Sequence, residues 1–116
     1  SRIREFLVAE APGEGVVGCA ALRVFSADLA EVRSLVVSPE FRSHRLGVRL
    51  TQAVIEDARK LEVARVFALT SIPKFFSKLG FTEVPKEALP LKVWSDCLQC
   101  PKYYHCDEIA LVMDLE

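Results

Sequence analysis

The stretch "SLVVSPEFRSHRLGVRL", residues 34–50, contains the change of secondary structure around which the fold is organised. An apolar run ends at Pro39, which cannot donate a hydrogen bond to a neighbouring strand. A short basic segment, Arg42-Ser43-His44-Arg45-Leu46-Gly47, then leads into a helix. The first amides of a helix have no partner within it, and the helix dipole adds about half a positive charge there. This junction therefore predicts a site for an anion such as a diphosphate, and the alternative is a solvated basic turn.

The apolar pattern before and after this junction predicts an α/β fold. Residues 6–10, 16–25 and 29–37 are strand-like and separated by short turns, which indicates an antiparallel meander. In the third strand, alternation places four residues on one face: Glu31, Arg33, Leu35 and Val37. A helix of about four turns follows. Its apolar face is predicted to consist of Leu46, Leu50, Val54, Ala58 and Leu61.

The second half of the chain predicts a buried strand, a short helix and two further strands. Residues 64–70 are nearly all apolar, as in a central strand packed on both faces. The short helix lies within residues 73–81, with Pro73 at its first position and Gly80 just past its end. Phe81 is expected to fold back onto Phe76, the contact that accompanies a glycine cap. With strands at 81–84 and 108–115, the order is βββ-α-β-α-β-β.

Composition limits the classes of protein and partner. The chain has 116 residues, enough for a single domain over residues 1–116, and a net charge of −1, which argues against nucleic acid as a partner. No apolar run approaches the roughly 20 residues of a membrane span, and the N-terminus does not look like a signal peptide. These features predict a soluble, cytoplasmic protein without a membrane partner. Cys19, alone in an apolar run, is predicted to be a small buried residue.

A cluster of possible metal ligands lies near the C-terminus. Cys97, Cys100 and Cys106, with His105, offer three thiolates and an imidazole, a set that could hold structural zinc. However, a single C-x2-C pair is not specific, and the adjacent His105 and Cys106 rarely bind the same ion. The interpretation we adopt is that no metal is bound and that reduced cysteines pack with Trp94.

Residues 16–81 resemble the GCN5-related N-acetyltransferase (GNAT) family. The shared motifs are a strand ending in V-x-P, here Val37-Ser38-Pro39, an Arg/Gln-x-x-Gly-x-Gly/Ala loop that opens a helix, and F-Y-x-K-L-G-F, here residues 75–81. The resemblance implies a mixed, largely antiparallel sheet with flanking helices. It also implies that a strand and two helices, which usually precede the strand at residues 6–10, are absent from this chain.

The resemblance further implies acetyl-CoA as co-substrate. The loop amides would hold its pyrophosphate, and they belong to Arg42, Ser43, His44, Arg45, Leu46, Gly47 and Val48. The pantetheine arm would pair with the backbone of Leu35, Val36 and Val37, and the N–H of Leu35 or Val36 would stabilise the oxyanion. Phe76 would also contact the coenzyme, at the position where many members of the family carry a tyrosine that acts as general acid.

Two positions depart from the family pattern. Arg45 replaces the first loop glycine, and its guanidinium could bind phosphate directly in compensation. Phe76 replaces the tyrosine that protonates the departing thiolate, so either Tyr103 or Tyr104 supplies the proton or the thiolate leaves unaided. A thiol pKa of about 8.5 makes unaided departure of the thiolate feasible.

The acceptor amine must lose a proton before it attacks, and Glu31 matches the strand glutamate that serves as general base in the family. The alternative is a glutamate at a strand edge, facing solvent. Arg33 could hold a substrate carboxylate, or it could pair with Glu31 or another acid, and Lys92 is a second candidate for the carboxylate.

The motifs "AEVRSLVVSPEFRS" and "KFFSKLGF" are most similar to the bacterial amino-acid N-acetyltransferases of arginine biosynthesis, the N-acetylglutamate synthases. The resemblance thus implies transfer to the α-amino group of L-glutamate in a ternary complex, and a homodimer is left open. The alternatives are a transferase for another amine, such as a protein N-terminus or a polyamine, and a silent acyl-CoA-binding regulatory domain.

Overall fold

The computed structural model describes residues 3–90 and 108–115, and the side chains within them except those of residues 3–6, 34 and 42–44. The chain divides into two compact units. The first comprises residues 1–67 and 114–116, and the second comprises residues 68–113. No helix in the described part of the chain is both long and apolar enough to cross a bilayer.

The first unit carries a mixed, largely antiparallel sheet, as the sequence predicts. Strands β1 (Ile3–Ala11), β2 (Gly15–Ser26) and β3 (Leu29–Val37) form an antiparallel meander. Strand β4 (Arg65–Thr70) begins in this unit and pairs in parallel with β3. That register matches Leu29 to Arg65 and ends where Glu31 meets Phe67. Within the first unit, the described parallel pairing lies along the first part of β3.

Helix α1 (Leu46–Lys60) packs against β1, β2 and β3. Its buried residues, Leu50, Thr51, Val54, Ile55 and Ala58, form one stripe along the helix, as its amphipathic pattern requires. The prediction that Leu61 belongs to this stripe is wrong: the helix ends at Lys60, and Leu61 is 43% exposed. Fully buried Thr51 satisfies its hydroxyl by donating to the carbonyl of Gly47, at 2.8 Å.

A β-bulge in β3 changes which residues share a face. Arg33 is the Cα partner of Ala21, whereas Val36 is the partner of Cys19. Two residues of β3, Ser34 and Leu35, therefore stand opposite a single residue of β2. Because directly opposed residues share a face, the bulge brings Val36 onto the face that carries Glu31 and Arg33. The predicted continuation of that face through Leu35 and Val37 is wrong for this reason.

Gly18 shows which of the two faces α1 covers. A Cβ atom at Gly18 would lie 3.1 Å from Cδ1 of Leu50 and 3.6 Å from Cγ2 of Val37. Gly18 and its partner Val37 thus face α1. The neighbouring residue on β2, Cys19, lies on the opposite face, and so do Glu31, Arg33 and Val36. The charged residues of β3 therefore lie on one side of the sheet, and helix α1 lies on the other.

The second unit contains helix α2 (Pro73–Lys78) and the antiparallel strands β5 (Thr82–Val84) and β6 (Ile109–Asp114). The predicted glycine cap is confirmed. Gly80 has φ +105°, its N–H donates to the carbonyl of Ser77, and the N–H of Phe81 donates to that of Phe76. The rings of Phe76 and Phe81 meet edge to face at 5.3 Å. This is a Schellman motif with its hydrophobic contact.

We predict that Gly18→Ala destabilises the first unit. The new Cβ would lie 3.2 Å from the carbonyl oxygen of Val36 as well as close to Leu50, and backbone cannot move aside cheaply. We expect the free energy of unfolding to fall by about 1–3 kcal/mol in urea denaturation. Gln52→Ala, on the exposed side of α1, is the control and should change it by less than about 0.5 kcal/mol. A Gly18→Ala protein as stable as the control would contradict the close packing.

Candidate functional site

The segment between β3 and α1 is a 3₁₀ turn, Pro39–His44, where the sequence predicts a loop. Its start is tied to β2 because the N–H of Ser38 donates to the carbonyl of Val17, at 2.8 Å. Arg45 follows in the left-handed conformation, with φ 60° and ψ 24°, and α1 begins at Leu46. The predicted strand–basic segment–helix junction is confirmed, with a tighter connection than expected.

The N-terminus of α1 has the electrostatic character of an anion site. Its first turn contains no acidic residue, and no side chain of the N-cap residue, Arg45, hydrogen-bonds to its amides. The N-cap side chain thus does not compete with an anion for the amides of Leu46 to Val48, and the helix dipole favours negative charge there. The exposed Arg45 adds a cation at the same end. The predicted roles of the Arg42, Ser43 and His44 side chains lie outside the described side chains.

Arg45 adopts the backbone conformation that favours glycine. A left-handed φ costs a residue with a Cβ roughly 1 kcal/mol, and glycine adopts it without penalty. The family motif has its first glycine at this position. The backbone at Arg45 thus has the conformation that a glycine would adopt there, while the side chain supplies a guanidinium that glycine lacks.

Glu31 is buried in the sheet, with 7% of its surface exposed. It lies on the face opposite α1, as the register with Arg23 and the contacts of Gly18 establish. The alternative prediction, a glutamate at a strand edge facing solvent, is therefore wrong. A buried carboxylate must be compensated by hydrogen bonds or opposite charges, and this one is next to cations.

Arg33 provides one of these cations. Its Nε lies 3.5 Å from Oε1 of Glu31, and its side chain is 35% exposed, against 10% for that of Glu31. The ion pair considered from the sequence is thus present. Because Arg33 is also partly open to solvent, its guanidinium retains donors for a further acceptor, since an arginine has five N–H groups.

The second half of β3 differs from the first in its partners and its exposure. The register with β4 ends at Glu31, and the bulge follows at Ser34 and Leu35. Beyond the bulge, Val36 is 59% exposed. Cys19, its partner on β2, is only partly buried, so the prediction of a buried Cys19 is wrong. The bulge places Val36 opposite Cys19, on the face that α1 leaves uncovered.

The remaining predicted residues belong to the second unit or lie outside the described residues. Phe76 belongs to the second unit, where it is 4% exposed and packs against the rings of Phe75 and Phe81. Several candidates lie outside the described residues, and their predicted roles stay predictions: Lys92, Cys97, Cys100, Tyr103, Tyr104, His105 and Cys106.

Sequence reasoning missed Arg23. It is 3% exposed and is the Cα partner of Glu31 on β2. A signal was present, because an arginine inside the apolar run 16–25 is unusual in a strand and the turn to β3 is short. The register could not be read from that turn, however, since a second irregularity between Val24 and Ser26 shifts the pairing.

Comparison with known proteins agrees with this architecture. The family model of the acetyltransferase (GNAT) domain matches residues 2–83. An uncharacterised N-acetyltransferase of Chlorobaculum tepidum is 42% identical over 113 residues, which are 97% of this chain and 72% of that protein. An amino-acid acetyltransferase of Mycobacterium tuberculosis is 37% identical over 103 residues, 87% of this chain and 58% of that protein.

A solved structure shares the fold. The N-acetylglutamate synthase of Neisseria gonorrhoeae, in complex with coenzyme A and N-acetyl-glutamate, superposes with a TM-score of 0.84 at 32% identity. The match covers 97% of this chain and 26% of that one. The family model covers more than half of the chain, and the motifs quoted from the sequence fall within it or at its edge. The chain belongs to the GNAT family of acetyltransferases.

Proposed function

We propose that this protein transfers the acetyl group of acetyl-CoA to the α-amino group of a free amino acid, L-glutamate, within a ternary complex. The observation that carries the proposal is the Glu31–Arg33 pair, a buried carboxylate beside a partly exposed guanidinium. A carboxylate can remove a proton from an ammonium, and a guanidinium can bind a carboxylate. An α-amino acid presents both of these groups to the enzyme.

The coenzyme would bind at the junction of β3 and α1. The amides of Leu46 to Val48 and the Arg45 guanidinium would hold the diphosphate, since this helix end lacks acidic residues that would repel it. The pantetheine arm would lie along β3 beyond Glu31, where the register with β4 has ended, and would pair with the backbone of Leu35 to Val37. The coenzyme-binding role predicted for Phe76, at the position of the family tyrosine, stays a prediction.

In the transfer step, Glu31 takes one proton from the acceptor ammonium, directly or through water. The neutral nitrogen then forms a bond to the acetyl carbon, and the N–H of Leu35 or Val36 donates to the carbonyl oxygen as negative charge develops there. The bond from carbon to sulfur breaks, and the sulfur leaves as a thiolate. The second proton of the nitrogen passes to solvent or to that sulfur, which balances the reaction.

Two lines of support favour an amino-acid acceptor and, within that class, glutamate. Arg33 lies beside the proposed base, where a cation would bind an acceptor carboxylate and would repel a polyamine. The relative from M. tuberculosis is named for an amino-acid substrate, and the gonococcal structure holds N-acetyl-glutamate. The chain spans 58% of the first protein and 26% of the second. Assigning the substrates of these proteins to the present chain is therefore part of the proposal. A role in arginine biosynthesis, in the cytoplasm, follows from the same choice.

We predict that the full-length protein releases thiol from acetyl-CoA in the presence of glutamate. The assay would compare the twenty amino acids, spermidine and a short peptide, because only the amino acids carry a carboxylate on the same carbon as the amine, within reach of both Glu31 and Arg33. Release with glutamate, or with glutamate and glutamine, supports the proposal. Release with the peptide or spermidine alone would support another amine. Coenzyme binding without release would support a regulatory domain.

We predict that Glu31→Gln abolishes most turnover and leaves coenzyme binding intact. The amide is nearly the same size as the carboxylate and cannot accept the proton, so kcat should fall about 10²–10⁴-fold. Steady-state kinetics and calorimetry with coenzyme A would measure the two effects. Unchanged acetylation by Glu31→Gln would remove this residue from the role of base.

We predict that Arg45→Gly weakens coenzyme binding without harming the fold. Glycine keeps the backbone at φ 60°, so relief of left-handed strain offsets the entropy of the added glycine. Loss of the guanidinium should raise the KM for acetyl-CoA about 10-fold. Arg59→Ala, near the other end of α1, is the control and should leave this KM unchanged. An unchanged KM in Arg45→Gly would mean that the amides alone hold the diphosphate.

A further inference from the structure

Arg23 lies outside the family motifs quoted from the sequence, and no role was predicted for it. It lies at the centre of a row that crosses the sheet of the first unit: Arg4, Arg23, Glu31 and Phe67 are successive Cα partners on β1 to β4. Directly opposed residues in an antiparallel pair have Cβ atoms about 4.5–5.5 Å apart on the same face. The side chains of Arg23 and Glu31 are therefore neighbours on the face opposite α1.

The burial of Arg23 requires an anion beside it. Only 3% of its surface is exposed, and a guanidinium cannot lose its charge in a protein. Removing such a group from water is costly unless an opposite charge accompanies it. Glu31, 7% exposed, is the carboxylate directly across the strand pair. The two buried charges thus stand where each compensates the other.

Aromatic rings fix the orientation of Arg23. Its Cζ lies 4.8 Å from the centre of the Phe25 ring, and that ring lies 5.8 Å from the ring of Phe67. Phe67 is fully buried in β4. A guanidinium stacked on a packed aromatic pair has little freedom to rotate, which distinguishes it from an arginine at the surface.

Arg33 shares this carboxylate but differs from Arg23 in its burial. Its side chain is 35% exposed, and its Nε lies 3.5 Å from the carboxylate, a long distance for a charged hydrogen bond. Glu31 thus has one buried cation held by aromatic rings and one partly exposed cation at its other side. Arg33 can move away from Glu31 without leaving a buried charge unpaired, whereas Arg23 cannot.

We propose that Arg23 is a positioning residue that holds the Glu31 carboxylate in place and balances its charge, so that Arg33 is free to move to the carboxylate of the acceptor. This inference rests on the proposed function for the role of Glu31 and of Arg33, and on the geometry alone for the pairing of Arg23 with Glu31. When the acceptor binds, Arg33 exchanges one carboxylate for another. Arg23 keeps its partner throughout.

Steady-state kinetics of the full-length protein would separate the two arginines. Arg23→Gln should lower kcat at least about 10-fold with the KM for acetyl-CoA unchanged, because a displaced base loses part of its effect. Arg23→Lys keeps the charge and should recover part of that loss.

Arg33→Gln should instead raise the KM for the acceptor about 10-fold or more. Arg65→Gln, which breaks an exposed ion pair with Asp114, is the matched control and should change neither constant. An unchanged kcat in Arg23→Gln, or an effect confined to the KM for the acceptor, would overturn the proposal.

A second measurement needs no activity. Arg23→Met, Glu31→Gln and the double variant form a cycle in urea denaturation, in which the double variant should be more stable than the sum of the two single losses predicts. Additive losses would show that the two side chains do not interact and would overturn the inference. If the wild-type protein acetylates no amino acid, the proposed function fails, and this cycle still decides whether Arg23 holds Glu31.

Discussion

The bulge at Ser34 and Leu35 is the constraint on which the arrangement of the first unit depends. A regular β3 would place Val37 on the same face as Glu31, and one extra residue reverses this relation. Val37 can then pack against α1 beside Gly18, while Glu31, Arg33 and Val36 remain on the opposite face. The same strand thereby supplies an apolar contact to the helix on one side of the sheet and charged groups to a site on the other.

The charges of that site depend on each other more than on solvent. A buried carboxylate alone would be strongly destabilising, and so would a buried guanidinium. Opposed across β2 and β3, with the aromatic rings of Phe25 and Phe67 beside them, the two become compatible with a folded sheet. A surface ion pair contributes little by comparison, because water competes for both partners. A charged residue at the surface is ordinary, whereas a buried one needs a partner to compensate it. The burial of Glu31 is therefore stronger evidence for a specific role than the presence of its charge is.

The junction with α1 shows that a backbone conformation can persist when the residue type changes. Arg45 takes the left-handed φ that the family motif assigns to glycine, at a cost of roughly 1 kcal/mol. Structure at the neighbouring positions enforces it. The 3₁₀ turn precedes it, Arg45 accepts the first helical hydrogen bond from Arg49, and Thr51 ties its side chain to Gly47. A cation at the helix N-terminus is what the molecule gains from the strained position.

The sequence by itself determined the order of the elements, the bounds of β3, the start of α1 and the glycine cap of α2, because these follow from local periodicity and turn chemistry. It also identified Glu31 and Arg33 as residues of one face, since alternation holds between them. Only the tertiary structure decided that Val36 joins that face, that Leu61 lies outside the core and that Arg23 stands opposite Glu31. Strand registers and bulges depend on contacts between residues distant in the chain, whose pairing a periodic pattern does not specify.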